Sequence, residues 1–166
     1  MKTNVDLKGQ SVAFTGHRAI PVPMQAEVMR RLKAAVSLAY SSGNRRFLCG
    51  MAMGFDSLAA EVVLSLKEDL PDIRLVAVVP FSGQACRWNA IERKRYYQFI
   101  SQADEVIVLS VDYYPGCLLR RNDYLLEHTH QVIAYFDGQP KGGTYYTCKK
   151  AKRCEMGVVN LFGAEE

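Results

Sequence analysis

The sequence predicts an α/β domain built on a mainly parallel sheet of five or six strands, with helices on both faces. Three observations predict it. Short apolar runs alternate with segments of helical periodicity along nearly all of the 166 residues, as in a parallel sheet joined by crossover helices. One run, Leu75-Val76-Ala77-Val78-Val79, is apolar without a break, the mark of a strand covered on both faces. The distinctive turns fall where strands end and helices begin, the edge at which such sheets bind ligands.

The first strand is Val12-Ala13-Phe14, and Thr15-Gly16-His17-Arg18 is the turn at its carboxyl end. Pro21 and Pro23 follow. Pro23 opens a helix, where its missing N–H is not needed. Val28, Met29, Leu32, Ala35, Val36, Ala39 and Tyr40 form one stripe of that helix. Ser41 to Asn44 stops it, with Gly43 as the carboxyl cap. Phe47-Leu48-Cys49 is the second strand. Gly50 and Gly54 bracket a tight loop, and Leu58, Ala59, Val62, Val63 and Leu66 then recur at helical spacing.

After Leu75 to Val79, the turn Pro80-Phe81-Ser82-Gly83 leads to a third helix from about Arg87 to Gln102. Trp88, Ile91 and Phe99 are expected to face inward from it. Val106 to Leu109 is a fourth strand, Tyr113 to Gly116 a loop and Leu118 to Glu127 a fourth helix. Val132 to Phe136 is a fifth strand. Asp137 to Thr144 is a third glycine turn, Tyr145 to Cys154 a basic helix and Val158 to Phe162 a last strand.

A hydrophobic content of 49% with 23% charged residues suits a chain that buries a real core. We expect one domain over residues 1–166. No apolar run approaches the ~20 residues that span a bilayer, and Met1 to Gln10 is polar, without a signal-peptide core. A cytoplasmic protein without a membrane partner is expected. Five cysteines, an odd number, argue against a disulfide framework. Net charge is +4, but the basic residues occur as dispersed pairs, which read more simply as solvated faces than as a nucleic-acid stripe. Nucleic acid is a partner the charge permits without favouring it, and a homo-oligomer is equally compatible.

Several residues are candidates for a ligand site. Gly50, Gly54, Gly142 and Gly143 each belong to a loop followed by a helix, where free N–H groups and the helix dipole suit a phosphate. Met51 lies within the first of these loops. Thr144 has two readings, cap of the fifth helix or hydroxyl donor to a phosphate. Asp56 either balances the helix dipole or accepts hydrogen bonds from ribose hydroxyls. It repels phosphate, so the phosphate is expected nearer Gly142 and Gly143. Thr15, Gly16 and His17 share the first turn with Arg18, a surface residue or a bidentate phosphate fork. Arg121 and Asn122 are similar candidates, and Pro80 ends a strand at the same edge. Trp88, the one tryptophan, is helix core or a stacking platform for a base. Nothing has metal-ligand spacing, and no Gly-x-Ser-x-Gly elbow occurs.

Phe14-Thr15-Gly16-His17-Arg18, Gly50-Met51-Ala52-Met53-Gly54-Phe55-Asp56, Arg121-Asn122, Asp137-Gly138 and Lys141-Gly142-Gly143-Thr144 resemble the SLOG superfamily. They are most similar to its YpsA/YoqJ-like branch in bacteria and their phages. The resemblance runs from Ser11 to about Arg153. It implies a Rossmann-like sheet and a pocket for a nucleotide-derived ligand, of ADP-ribose or nucleoside-phosphate type, in a sensor or adaptor domain. It also implies two rivals: phosphoribohydrolases of the LOG type and single-strand DNA binders of the DprA type. The hydrolases carry Pro-Gly-Gly-x-Gly-Thr-x-x-Glu with a catalytic glutamate. Here Lys141-Gly142-Gly143-Thr144-Tyr145-Tyr146-Thr147-Cys148 lacks the second Gly-Thr step and the glutamate, so a phosphate cradle without hydrolysis is expected. The branch's acidic residue before the fifth strand is replaced by His128-Thr129-His130-Gln131. Should the chain hydrolyse N-glycosidic bonds, Asp56 and Glu92 are the nearest carboxylates.

Overall fold

A computed structural model describes residues 6–163. Six strands alternate with five α-helices: β1 Ser11–Gly16, α1 Val22–Ser41, β2 Arg46–Cys49, α2 Phe55–Ser65, β3 Arg74–Val79, α3 Ala90–Gln102, β4 Glu105–Val108, α4 Cys117–Glu127, β5 Gln131–Tyr135, α5 Gly143–Arg153 and β6 Gly157–Asn160. All strand pairs are parallel, in the order β4-β3-β2-β1-β5-β6. The expectation of a three-layer α/β fold with a mainly parallel sheet is met, with six strands and full parallelism. No helix among the described residues is long and apolar enough to cross a membrane.

Side-chain alternation along the strands separates two cores. Val12, Phe14, Phe47, Cys49, Leu75, Ala77, Ile133 and Tyr135 point to one face and pack with α1 and α2. Ala13, Leu48, Val76, Val78, Val132 and Ala134 point to the other and meet Leu125 and Leu126 of α4 and Cys148 and Ala151 of α5. Both faces of the central strands are therefore dry, which is why Leu75–Val79 carries no polar residue.

Most element boundaries shift by one to three residues from those the periodicity suggests, and one shift matters. Asn89 caps α3 by accepting the Glu92 N–H at 2.9 Å. Trp88 consequently precedes the helix. The inward face is set by Tyr96, Phe99, Ile100 and Ala103, a repeat of three, four and seven. Ile91 is off this face and 81% exposed, which corrects its expected inward position. The cysteines are all free. Cys49, Cys117 and Cys148 are buried as small apolar groups, whereas Cys86 and Cys154 are exposed.

The strand order also positions the site. The chain steps outward from β1 through β2 and β3 to β4, then returns to the far side of β1 with β5. Between the carboxyl ends of β1 and β5 the two following connections diverge to opposite faces. The crevice left there is the ligand position of doubly wound sheets.

Candidate functional site

The turn after β1 rests on α2. The Phe55 N–H donates to the His17 carbonyl at 3.0 Å. Gly54 has φ 78°, and a Cβ on it would overlap the Arg18 carbonyl, so glycine is required twice over. On the other side, the Asp137 N–H donates to His17 Nε2 at 2.9 Å. The Asp137 carboxylate also lies 3.2 Å from His17 Nε2. The turn after β1 is thus tied to both α2 and the loop after β5.

These connections enclose a cavity of about 430 Å³ at the β1/β5 crevice, within the range of small-ligand sites. Ten candidate residues line it: Thr15, Gly16, His17, Arg18, Asp56, Arg121, Asn122, Gly142, Gly143 and Thr144. Thr15 and Gly16 end β1, His17 and Arg18 open the turn after it, Asp56 comes from α2, Arg121 and Asn122 from α4, and residues 142 to 144 from the start of α5. Gly50, Met51, Gly54, Pro80 and Trp88 do not line it. Gly50 and Gly54 support it from behind, since the Gly50 carbonyl accepts from Arg121 Nη1 and Gly54 seats the Arg18 backbone. Met51 is buried in the left-handed region at φ 62°, a strain held by the loop between the two glycines. Pro80 is buried where the chain leaves β3. Trp88 lines a different cavity.

Six lining residues lay outside the candidate set, Phe14 and Ala52 among them. Leu118, Leu119 and Leu125 of α4 form an apolar wall. In the sequence they show ordinary helical spacing and cannot be told from core. Lys141 also lines the cavity and stands directly before the glycine pair, the one signal that pointed to it.

The electrostatics are set by two buried, opposite charges. Asp56 and Arg121 are 6% and 5% exposed. Burial raises the Asp56 carboxyl from its ordinary range to about 6, opposed by the Arg121 charge, the Ala52 N–H and the Arg18 charge. Burial also lowers the Arg121 guanidinium, opposed by Asp56. Asp56 Oδ2 accepts the Ala52 N–H at 3.1 Å. Its Oδ1 is buried with no hydrogen-bond partner. A buried acceptor left unpaired is rare and costly. Arg121 Nε donates to Asn122 Oδ1 at 2.9 Å, and Nη1 to Gly50. A Cβ at position 50 would lie 2.6 Å from that nitrogen, so only glycine lets the guanidinium lie on the loop.

The α5 terminus is open. Its amino-terminal cap is Gly142 at φ 94°, and no side chain caps it. Thr144 is the second helical residue rather than the cap. A Cβ at Gly142 would meet nothing within 4 Å, and one at Gly143 only Asn122 Nδ2 at 3.5 Å. Uncapped N–H groups lie beside Lys141, with Arg18 on the same cavity, an arrangement whose positive charge suits an anion. Glu92, the other carboxylate considered, does not line the cavity and lies 4.0 Å from Arg95. Among the described residues no three His, Cys, Asp or Glu side chains gather to hold a metal.

A family model described as the YspA SLOG family (YpsA) matches residues 14–158. The chain is 29% identical over 148 residues to the uncharacterized SPbeta prophage-derived protein YoqJ of Bacillus subtilis, covering 81% of this chain and 86% of that one. It is 33% identical over 96 residues to a UPF0398 protein of Staphylococcus epidermidis, 57% of this chain but only about half, 51%, of that relative. Two solved structures share the fold. One is DNA processing protein A of Helicobacter pylori, described in its single-stranded DNA binding mode, with a TM-score of 0.64 at 18% identity over 92% of this chain and 66% of that one. The other is TM1055, a structural-genomics target, with a TM-score of 0.59 at 16% identity over 93% and 75%. With the family match spanning most of its length and the crevice lined by the motif residues, the chain belongs to the YpsA family of SLOG proteins.

Proposed function

We propose that this chain binds a nucleotide-derived ligand in the β1/β5 crevice and acts as a sensor or adaptor domain. The observation that carries the reading is the buried, unpartnered Oδ1 of Asp56, in the same cavity as the uncapped start of α5. One end offers a charged acceptor and the other offers donors. A ribose phosphate has the complementary order, hydroxyl donors at one end and an anion at the other. Arg18, Lys141 and the amides of Gly143 and Thr144 hold the phosphate, Asp56 the ribose hydroxyls, and Leu118 and Leu119 the apolar edge. The ligand class is that of ADP-ribose or a nucleoside phosphate.

The dispersed basic residues support a small ligand over a nucleic-acid strand. Arg30 and Arg31 pair with Glu27, Arg45 with Asp72, Arg46 with Glu105, Arg95 with Glu61, Arg120 with Glu127 and Lys150 with Asp123. Charges neutralised in this way release few counterions from a phosphate backbone.

Calorimetric titration with AMP and with ADP-ribose tests the reading. Wild type is expected to saturate with at least one of them. Gly143→Val, whose side chain enters the open end of the cavity, is expected to remain folded and lose detectable binding. Equal affinity in the folded variant overturns the assignment. A hydrolase reading rests on Asp56, whose raised carboxyl could serve as a general acid. Free adenine released from AMP by wild type but not by Asp56→Asn would establish it.

A further inference from the structure

A second cavity, of about 550 Å³, opens beyond the carboxyl ends of β3 and β4. Phe81, Gly83, Gln84, Cys86, Arg87, Trp88 and Tyr113 line it. Its chemistry differs from that of the β1/β5 crevice. Three aromatic rings come from two connections. Phe81 and Tyr113 meet edge to face at 5.3 Å, and Trp88 meets Tyr96 the same way at 5.2 Å. Tyr113 is 62% exposed, and its ring is not held by a packed core. The charged side chain is Arg87. Such a combination suits a flat, polarisable ring.

The polar group is Gln84, 8% exposed. Its Nε2 donates to the Gly50 carbonyl at 3.0 Å, which fixes the orientation of the amide. The Oε1 atom is thereby left buried without a partner. The same Gly50 carbonyl accepts from Arg121 Nη1. The Gly50 carbonyl therefore joins Gln84 of the second cavity to Arg121 of the first, and each cavity is lined by one residue with a buried unpaired acceptor, Asp56 Oδ1 in the first and Gln84 Oε1 in the second. Unpaired buried acceptors are few in folded proteins, and each calls for a donor. Of the three unpaired buried side-chain polar atoms among the described residues, the two acceptors belong to residues that line these two cavities.

We propose that the Phe81–Trp88–Tyr113 cavity is a second ligand subsite, which stacks a planar heteroaromatic ring of the nucleobase class and receives its exocyclic amine on Gln84. The subsite stands on its own lining and does not depend on the phosphate assignment in the first cavity. The ring has two sources, a free nucleoside or the bases of a single strand.

Trp88 is the only tryptophan, so intrinsic tryptophan fluorescence reports this cavity alone. Adenosine, which carries the amine but no phosphate, is expected to quench it saturably. Purine riboside, the same ring without the amine, should bind about tenfold more weakly. Gln84→Met should remove that discrimination, leaving the two nucleosides equal; a merely structural role for Gln84 leaves it in place. Tyr113→Ala, at an exposed position that folding tolerates, should weaken adenosine about tenfold through lost stacking. Arg18→Lys should weaken AMP in the first cavity while leaving the adenosine quenching of Trp88 as in wild type, so failure of the phosphate reading and failure of this one are separable. An oligodeoxyadenylate that quenches far below the adenosine range, with steep salt dependence, identifies a strand as the source; adenosine alone, with weak salt dependence, identifies the free nucleoside. Quenching that never saturates with either probe, discrimination that survives Gln84→Met, or an affinity unmoved by Tyr113→Ala overturns the proposal.

Discussion

The amino ends of α2 and α5 look alike in the sequence and differ in the folded chain. Each helix follows a strand, opens behind a glycine at positive φ (78° at Gly54, 94° at Gly142) and lacks a side-chain cap. At α2 the protein fills its own vacancy. The His17 carbonyl takes the Phe55 N–H, Asp56 supplies negative charge within the first turn, and Gly54 is pressed against the Arg18 backbone. At α5 nothing takes that place, and open space lies beside Gly142. A glycine turn before a helix is therefore not in itself an anion site. What decides is whether the fold delivers a carbonyl and a carboxylate to it. The first terminus is occupied by the protein's own groups, and the second stays open; on the proposed function the ligand takes its place.

Substitution at the two glycines tests this contrast most strongly. Gly54→Ala combines left-handed strain with overlap on the Arg18 carbonyl and should cost about 2–5 kcal/mol. Gly142→Ala meets strain alone and should cost about 1–2 kcal/mol. Urea denaturation midpoints measure both, and equal losses would erase the distinction.

Asp56 sharpens the comparison through pH. Its folded carboxyl keeps the proton up to about pH 6, whereas the unfolded chain releases it near 3.8. Protonated Asp56 thus favours the folded state at pH 4, and this contribution fades as pH rises to 6. The loss amounts to at most about 3 kcal/mol. Other carboxylates act in the opposite sense, because hydrogen bonds from Arg30 and Arg31 hold Glu27 down at about 2. The difference between wild type and Asp56→Asn isolates the term: unfolding free energies measured from pH 4 to 7 should show the variant gaining on wild type as pH rises. Parallel curves would place Asp56 in a solvated environment. With ribose ligands the order reverses. Asn lacks the charge-assisted acceptor, so binding should weaken by about 1.5–3 kcal/mol, and a ligand without the ribose hydroxyls should bind both proteins alike.

The smallest expected effect is at the open terminus. Arg18 is exposed, and Arg18→Lys keeps its charge while losing the planar fork. Affinity for AMP should fall by about 1 kcal/mol, roughly fivefold. A titration that overlays wild type would make Arg18 a surface residue and leave the anion to Lys141 and the amides.

Much of the architecture is legible in neighbouring residues. The unbroken Leu75–Val79 run declares a strand covered on both faces, and the stripe of Val28, Leu32, Val36 and Ala39 a helix with one buried side. Ile91 shows the limit of such reading. Its spacing from Trp88 implies a shared face only if residue 88 is helical, and Asn89 starts the helix one residue later. Thr15 lies at the end of β1 and Trp88 in the connection from β3 to α3, and they line different cavities. Leu118 and Leu119 carry no local mark of a ligand wall, because an apolar helical position reads the same against a core or a cavity.

By itself the sequence determined the kinds of element, their alternation and the distinctive turns at the carboxyl edge of the sheet, because periods of 2 and 3.6 and the freedom of glycine are properties of adjacent residues. The tertiary structure alone decided the strand order, and with it which turns meet. Asp56 and Arg121 are 65 positions apart in the chain and line one cavity. The raised Asp56 carboxyl, the unpaired Gln84 oxygen and the open start of α5 follow from what surrounds each group. Burial, charge and the presence of a partner are set by distant segments brought into contact, and no local pattern specifies them.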